Sequence, residues 1–335
     1  MNAPLTTRYL GLDLRCPVVA SAGPLSQTVD GIKALADTGL GAVVMFSLFE
    51  EQIRREQEAT LALLEDFEDS HPESLSYFPD AAVTESAATD RYLKLLESAA
   101  AAIDIPLVAS LNGSTTGDWT STARRMQETG ASALELNIYF VPGDLTMTGA
   151  EVEQRHLDIL ASVKQTVSIP VAVKLSPYFS SVGNLCRRLD EAGADGLVLF
   201  NRFLQPDIEL DRLQVMPGVE LSSAAEARLP RTWIAVLHHR VRASLAATSG
   251  VEDAGDVVKY LLAGADVVMT TSSLVRHGRD HARTLVDGLS AWLERTGLSL
   301  EQARGMLAVP EDASTTDYER AGYVAALEGA KRRYG

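Results

Sequence analysis

One short phrase recurs four times along the chain, and it limits the folds that the chain can adopt. Each copy ends a polar or amphipathic stretch, passes through a Gly and continues into an apolar run; the four glycines are Gly39, Gly130, Gly193 and Gly264. This is the pattern of a helix end, a Gly in the left-handed cap conformation and a buried strand. The copies lie roughly 60 to 90 residues apart, enough for two βα units of roughly 30 residues each. The repeat therefore predicts alternating strands and helices.

Further strands are visible between the copies of the repeat. Together they make eight short apolar runs, which begin near residues 17, 41, 106, 133, 170, 195, 242 and 266. The runs lack polar/apolar alternation, as expected of parallel strands covered on both faces. Helical patterns fall between them, for example over 119–129, 150–166, 182–192 and 253–263. Eight units in 335 residues favour an α/β fold, the (β/α)8 TIM barrel. A doubly wound sheet is the alternative, but nothing marks the reversal of strand order that it needs.

Four segments exceed a minimal barrel, within a predicted single domain over 1–335. Residues 1–16 are predicted to form a short hairpin that closes the bottom of the barrel. Insertions at 50–90 and 204–230 fall on the C-terminal face, where long loops build lids and pockets. The acidic insertion 50–90 is equally compatible with an oligomer contact. Residues 298–335 have an amphipathic helical pattern, which either packs on the barrel or forms a dimer contact.

The charge balance and the cysteines exclude several classes of partner. The chain has 30 Lys and Arg against 45 Asp and Glu, a net charge of -15, so nucleic acid and anionic membranes are disfavoured. Cys16 and Cys186 are too few for a disulfide framework or an iron–sulfur site. Neither a signal peptide nor a membrane-spanning run is visible. We expect a cytoplasmic protein whose ligand is a small molecule; an anionic one is compatible, because local positive groups can dominate a pocket.

Polar side chains occur where four of the predicted strands should be apolar. They are Asn112, Asn137, Lys174 and Asn201. A Lys inside a buried strand needs a countercharge, so Lys174 either faces a bound anion or electron-rich group or forms a salt bridge with a barrel carboxylate such as Glu135. Because three Asn on three strands accompany it at the same end of the barrel, the pattern favours a ring of ligand-binding groups.

The last two strands end in small and hydroxylated residues. Ala247-Thr-Ser-Gly250 and Thr270-Thr-Ser-Ser273 can present backbone N–H groups to a phosphate, at the place where barrels commonly hold one. His277 and His281 have the spacing of a helical metal pair, but no third ligand is evident, so no metal is expected. Neither a Ser-His-Asp elbow nor a Walker loop occurs.

From about residue 8 to 295, the chain resembles the FMN-dependent dihydroorotate dehydrogenases, most closely the soluble class 1 type. The shared phrases are VVASAGP in the first strand, ELN in the fourth, KLSPYF in the fifth, the Asn of the sixth, the Ser249-Gly250-Val251 corner and TSSLVRHG after the eighth. The resemblance implies oxidation of dihydroorotate to orotate in pyrimidine (UMP) biosynthesis, with hydride transfer to FMN. A soluble acceptor or a redox partner protein would reoxidise the flavin, and the protein would be a homodimer.

The resemblance also implies roles for particular residues. Lys174 would contact the N1–C2 carbonyl edge of the flavin, Asn137 would bridge flavin and substrate, and Asn201 would bind the substrate ring. Arg202 could bind a substrate carboxylate bidentately. The full predicted set of FMN-binding residues is Ala20, Ser21, Ala22, Ser47, Asn112, Asn137, Lys174, Ser249, Gly250, Thr271 and Ser272.

The chain departs from the family pattern mainly on the substrate side. Phe140 stands at the position of the catalytic Cys base, Pro142 at an Asn, Phe46 at the strand-2 Lys with Ser47 beside it, and Arg202 at a Ser. The family's substrate loop is replaced by SLSYFPD at 74–80. The flavin-holding half of the pattern is thus largely kept, while the acid/base half is rewritten.

These departures leave the proton acceptor and the substrate open. Tyr139 is the nearest candidate base, although a phenol ordinarily keeps its proton at neutral pH. The chain is similar to the subgroup called dihydroorotate dehydrogenase-like proteins. The alternatives are a flavoprotein of the same fold with a different small substrate or a role in redox coupling, and a lyase in which Lys174 forms a Schiff base.

Overall fold

The computed structural model describes residues 4–52, 87–113, 119–202, 206–216, 218 and 220–334. Its strands are β1 (Thr7–Tyr9), β2 (Leu12–Leu14), β3 (Val18–Ala20), β4 (Ala42–Phe49), β5 (Leu107–Gly113), β6 (Ala133–Ile138), β7 (Val171–Leu175), β8 (Gly196–Leu199), β9 (Asp207–Glu209), β10 (Gln214–Met216), β11 (Ser244–Ala247) and β12 (Val267–Thr270). Eight of them close into a parallel barrel in the order β3-β4-β5-β6-β7-β8-β11-β12. The predicted (β/α)8 barrel is therefore confirmed, and the doubly wound alternative is wrong.

Helices surround this barrel and connect its strands. They are α1 (Val29–Ala36), α2 (Ala87–Ala100), α3 (Trp119–Glu128), α4 (Gly149–Lys164), α5 (Val182–Glu191), α6 (Arg228–Leu237), α7 (Ala254–Ala263), α8 (Ser272–His277), α9 (His281–Thr296), α10 (Leu300–Ala303) and α11 (Thr315–Tyr334). The four repeated glycines all have positive φ, as the repeat predicts. Gly264 shows why: at φ +115 it ends α7, and its N–H donates to the carbonyls of Tyr260 and Leu261.

The apolar core has two shells, one inside the barrel and one between strands and helices. Tyr9, Leu10 and Leu14 of the β1–β2 hairpin join the inner shell. A Cβ at Gly196 would lie 2.5 Å from Leu10 Cδ2, so the glycine makes room for the hairpin at the bottom of the barrel. The lower interior is therefore apolar and closed, which leaves the other end of the strands for ligand contacts.

Strand β4 contains an irregularity that reorients its side chains. Its pairing with β5 shifts register between Val44 and Ser47. Val44 belongs to the inner shell, whereas both Met45 and Phe46 pack in the outer one. A bulge of this kind adds one residue to the strand, so the inward position after Val44 passes to Ser47.

The segments outside the barrel differ in how closely they pack. Most of the 50–90 insertion, including 74–80, lies outside the described residues. The 204–230 insertion contains the antiparallel β9–β10 hairpin. In the C-terminal tail, Leu300, Ala303 and Val309 are buried, whereas the side chains of α11 over residues 316–333 are exposed. Across the described part of the chain, no helix combines the length and apolarity needed to cross a membrane.

Candidate functional site

A cavity of about 450 Å³ opens at the carboxyl ends of the barrel strands. Most of the predicted site residues line it: Ser21, Ala22, Asn112, Asn137, Tyr139, Lys174, Asn201, Arg202, Ser249, Gly250, Thr271 and Ser272. They come from seven strand ends that are far apart in sequence. Parallel strands all finish at one face of a barrel, so the fold alone brings these residues together.

Three neighbouring strands place polar side chains in one row. Asn112 of β5 pairs in register with Asn137 of β6, which in turn pairs with Lys174 of β7. Asn201, just after β8, donates its amide N–H to Asn137 Oδ1 at 2.8 Å. The row therefore presents amide and ammonium groups to one side of the cavity.

Lys174 connects the cavity to the buried interior of the barrel. Its Nζ lies 3.4 Å from Glu135 Oε1 and 3.5 Å from Ser21 Oγ. The side chains of Lys174 and Glu135 are 8% and 1% exposed. The two sequence-based interpretations of Lys174 are thus compatible, because the same ammonium contacts a barrel carboxylate and lines the cavity.

The loop after β3 forms the opposite wall of the cavity. The Ser21 N–H donates to the Thr270 carbonyl at 3.0 Å, and the Thr271 hydroxyl donates to the Ser21 carbonyl at 2.6 Å. A Cβ at Gly23 would lie 2.4 Å from Thr271 Cγ2, so only glycine allows this approach. The backbone at Ser21 and Ala22 is thereby fixed against the end of β12.

A strained turn after β11 lies where the sequence predicts a phosphate site. Ser249 and Gly250 have φ values of +78 and +69. The Tyr260 hydroxyl donates to the Ser249 carbonyl at 2.7 Å, and a Cβ at Gly250 would lie 2.5 Å from the Ala227 nitrogen. A non-glycine residue with positive φ persists only where its surroundings hold it, so the turn is built into the fold.

Sequence reasoning missed Ser222, which belongs to this turn. Its hydroxyl accepts from the Gly250 N–H at 3.2 Å, and its own N–H donates to the Ser272 hydroxyl at 3.1 Å. Ser222 is buried, although it lies within the 204–230 insertion. A buried hydroxyl in a long insertion gives no periodic signal, so only the fold reveals it.

Three residues singled out from the sequence lie apart from the cavity lining. Ala20 packs in the outer apolar shell. Ser47 shares a 2.8 Å hydrogen bond with Ser110 inside the barrel. Phe140 lies beneath the Arg155 guanidinium, 4.2 Å from the ring centre. Of the two residues at the end of β6, Tyr139 is therefore the one that reaches the cavity.

Arg202 borders both this cavity and a second one of about 580 Å³. Its Nε lies 3.0 Å from Glu226 Oε1. Burial works against the charge of Glu226, but the Ser223 N–H and the Arg202 guanidinium outweigh it and lower the pKa of the Glu226 carboxyl. The ion pair with Glu226 thus fixes the position of the Arg202 guanidinium beside the cavity mouth.

The histidine pair after β12 has other partners. His277 Nε2 lies 2.5 Å from Glu252 Oε1, and His281 Nε2 lies 2.8 Å from the Glu252 carbonyl. Among the residues that the structure describes, no group of three or more His, Cys, Asp or Glu is arranged to hold a metal ion. The spacing of the two histidines is accounted for by their contacts with Glu252.

Comparison with known proteins gives one consistent family. A family model described as dihydroorotate dehydrogenase matches residues 4–293, a range that includes all eight barrel strands. The chain is 23% identical over 310 residues to "Dihydroorotate dehydrogenase B (NAD(+)), catalytic subunit" of Methanocaldococcus jannaschii, covering 90% of this chain and 97% of the relative. It is 24% identical over 300 residues to "Dihydroorotate dehydrogenase A (fumarate)" of Lactobacillus delbrueckii subsp. bulgaricus, covering 86% and 93%. A shorter alignment of 178 residues is 30% identical to the B-type catalytic subunit of Halalkalibacterium halodurans, covering 50% and 56%.

Proposed function

Because the chain belongs to the dihydroorotate dehydrogenase family, we propose that it is an FMN-dependent oxidoreductase acting on a CH–CH bond of a small anionic substrate. The cavity at the barrel mouth carries this proposal, because Lys174, the Asn137–Asn201 pair and the Ser249–Gly250 turn all border one space. An ammonium, two amides and a turn of small residues are suitable donors for the ring edge and the phosphate of a flavin nucleotide.

The donor set fits FMN. Lys174 has three N–H donors, and its contacts with Glu135 and Ser21 are long, so a better acceptor can compete for them. A volume of about 450 Å³ is also typical of small-molecule pockets. Lys174 would contact the flavin N1–C2 carbonyl edge, and Ser21 and Ala22 would border the ring through their backbone. The phosphate would be held by Ser249, Gly250, Thr271 and Ser272. Bound there, FMN supplies the centre that accepts hydride.

The substrate would be oriented by the asparagine pair and Arg202. The Asn201–Asn137 hydrogen bond uses one donor and one acceptor of the two amides. The Asn137 NH2 group and the Asn201 carbonyl oxygen then orient a planar ring, while the Arg202 guanidinium binds a carboxylate. Dihydroorotate carries a carboxylate, and its ring becomes planar on oxidation to orotate, so this oxidation is the first reaction to test.

Oxidation of a CH–CH bond also needs an acceptor for the proton that leaves carbon. Tyr139 lines the cavity at the end of β6, and it is our candidate for this role. Tyr139→Phe should lower turnover by about a hundredfold or more while flavin content stays unchanged. The matched control is Tyr178→Phe, which removes an exposed phenol that borders only the second cavity.

A different small carboxylated substrate is the second candidate. The observation that favours it is the position of Phe140, which packs beneath Arg155 and leaves no base at the place where the family resemblance implies one. In that case the flavin site is kept, and Arg202 selects another anion. Substrate-driven reduction of the flavin distinguishes the two candidates.

The proposal extends to the electron acceptor and the assembly. The relatives' names differ in the acceptor, NAD(+) or fumarate, and we propose a soluble acceptor or a redox partner protein. We also propose a homodimer, because the β9–β10 hairpin exposes Ile208, Leu210, Leu213 and Val215. The two cysteines are free and buried, in keeping with a cytoplasmic protein.

The deciding experiment is an anaerobic visible spectrum of the purified protein before and after addition of L-dihydroorotate. A flavin band that bleaches supports dihydroorotate oxidation. A band that persists keeps the cofactor and favours the second candidate, which a panel of cyclic and linear carboxylates then tests. A colourless protein that borohydride traps on a carbonyl substrate would instead favour the Schiff-base lyase.

A further inference from the structure

Glu135 is a buried carboxylate that the proposed reaction does not use directly. It lies on β6, two residues before Asn137, and pairs in register with Ser110 of β5 and Ala172 of β7. Its side chain is 1% exposed. It therefore lies one layer below the cavity, between the apolar bottom of the barrel and the polar row at its mouth.

The hydrogen bonding of Glu135 is incomplete among the described residues. Oε1 lies 3.4 Å from Lys174 Nζ, and Oε2 is buried with no hydrogen-bond partner. A carboxylate in such surroundings is costly unless a cation compensates it. Lys174 supplies such a cation, with its Nζ within ion-pairing distance of Glu135 Oε1.

The negative charge of Glu135 also acts on its neighbours. Burial raises the pKa of Tyr9, below it, and the Glu135 carboxylate raises it further. Burial also raises the pKa of Tyr92; a hydrogen bond from the Ser110 N–H lowers that pKa in part, and the Glu135 carboxylate raises it. Glu135 therefore lies close enough to act electrostatically on groups on both sides of it.

We propose that Glu135 is a positioning residue that limits how strongly Lys174 stabilises negative charge on the bound flavin. This inference rests on the proposed function, because it needs Lys174 beside the flavin ring. The ammonium lies between two acceptors, Glu135 below and the ligand above. Part of its charge is neutralised before the ligand gains electrons, so Glu135 keeps the flavin harder to reduce than Lys174 alone would make it.

Sulfite titration tests this without turnover, since sulfite adds to the flavin ring and leaves it negatively charged. In Glu135→Gln the dissociation constant for sulfite should fall about tenfold or more, because a full charge is removed from a buried position near the ring. The flavin midpoint potential, measured with redox dyes, should rise. Lys174→Met should shift both quantities in the opposite direction.

Two control variants separate charge from packing. Glu135→Asp keeps the charge and should stay within about threefold of the wild-type sulfite affinity. Ser110→Ala removes a buried uncharged group in register with Glu135 and should leave that affinity unchanged. If Glu135→Gln is recovered unfolded, Glu135→Met takes its place, with the same expected direction and no amide to satisfy.

The outcomes divide as follows. The inference is supported if the uncharged variants bind sulfite more tightly than the wild type while Glu135→Asp keeps the wild-type affinity. Unchanged affinity overturns it, and so does a weakening like that of Lys174→Met, because Glu135 would then only hold the lysine in place. If the wild-type protein binds no flavin, the proposed function falls together with this inference; flavin binding without the Glu135 effect removes the inference alone.

Discussion

The Glu135–Lys174 pair predicts a large coupling in the stability of the flavin-free protein. The perturbation is a double-mutant cycle of Glu135→Gln, Lys174→Met and the two together. At the 3.4 Å separation of Nζ and Oε1, an effective dielectric constant of about 20 gives an attraction of about 5 kcal/mol. Desolvation offsets much of it, but removing one partner leaves the other uncompensated in the interior, at a cost of about 3–5 kcal/mol.

The double variant should therefore be much closer to the wild type than the two single changes suggest. Its interior would hold an amide and a thioether in place of two charges, and such replacements are often neutral. We expect a coupling energy of about 3 kcal/mol or more. Each single variant should lose roughly 4–7 °C in melting temperature, since the unfolding entropy of a chain of 335 residues is about 0.7 kcal/mol/K.

The assay is thermal and urea unfolding followed by tryptophan fluorescence, with circular dichroism to establish that each variant is folded. The matched control is the same cycle on Arg187 and Glu191, an exposed pair on α5 at 3.6 Å. There the coupling should be about 0.5 kcal/mol or less, since water screens the pair. If the Glu135–Lys174 cycle is additive, the two side chains are not electrostatically dependent on each other, and the reasoning is refuted.

Three further predictions concern the turn, the substrate anchor and a buried histidine. Gly250→Ala should destabilise the fold by about 2 kcal/mol or more and reduce flavin content, because it adds a clash with the Ala227 nitrogen to the strain of positive φ. The control is Gly297→Ala, at φ +70 in open space, which should lose only about 1–2 kcal/mol of stability. Arg202→Ala should raise KM for an anionic substrate about 10- to 100-fold in steady-state assays, with flavin content unchanged. Burial lowers the pKa of His156, so the stability that the neutral imidazole allows is lost as pH falls below about 6.5. Differential scanning fluorimetry between pH 7 and 5 should therefore show a smaller drop in melting temperature for His156→Gln than for the wild type. An equal drop in both proteins would refute this assignment.

The barrel could be predicted from the sequence because its signals are local. A glycine at each helix end and an apolar run after it do not depend on distant residues, and both repeat along the chain. Polar residues at strand ends could be predicted to meet for a related reason, since a closed parallel barrel brings all carboxyl ends to one face. The positions of Lys174 and Asn137 near the ends of neighbouring strands were enough to predict that they lie side by side.

Other features of the site depend on geometry that spacing does not encode. A register shift in β4 transfers the inward position to Ser47 and moves Phe46 to the outer shell, and no sequence pattern marks it. Ser222 reaches the turn at Gly250 from a long insertion. The packing of Phe140 under Arg155 depends on how α4 lies against the end of β6. In each case a tertiary contact, rather than a local preference, decides where a side chain lies.

Polarity rises in layers along the barrel axis, and this order explains how one set of strands serves both stability and chemistry. At the bottom, Leu10 and its apolar neighbours exclude water. Above them Glu135 is buried, and its Oε2 has no hydrogen-bond partner in the part of the chain that the structure describes; the adjacent Lys174 ammonium makes this burial tolerable. Lys174 then contacts Glu135 on its lower side and borders the cavity on its upper side, in register with Asn137 of the polar row. The closed lower half keeps water away from the Glu135–Lys174 pair, so the balance between these two charges sets how strongly Lys174 acts on a ligand at the mouth.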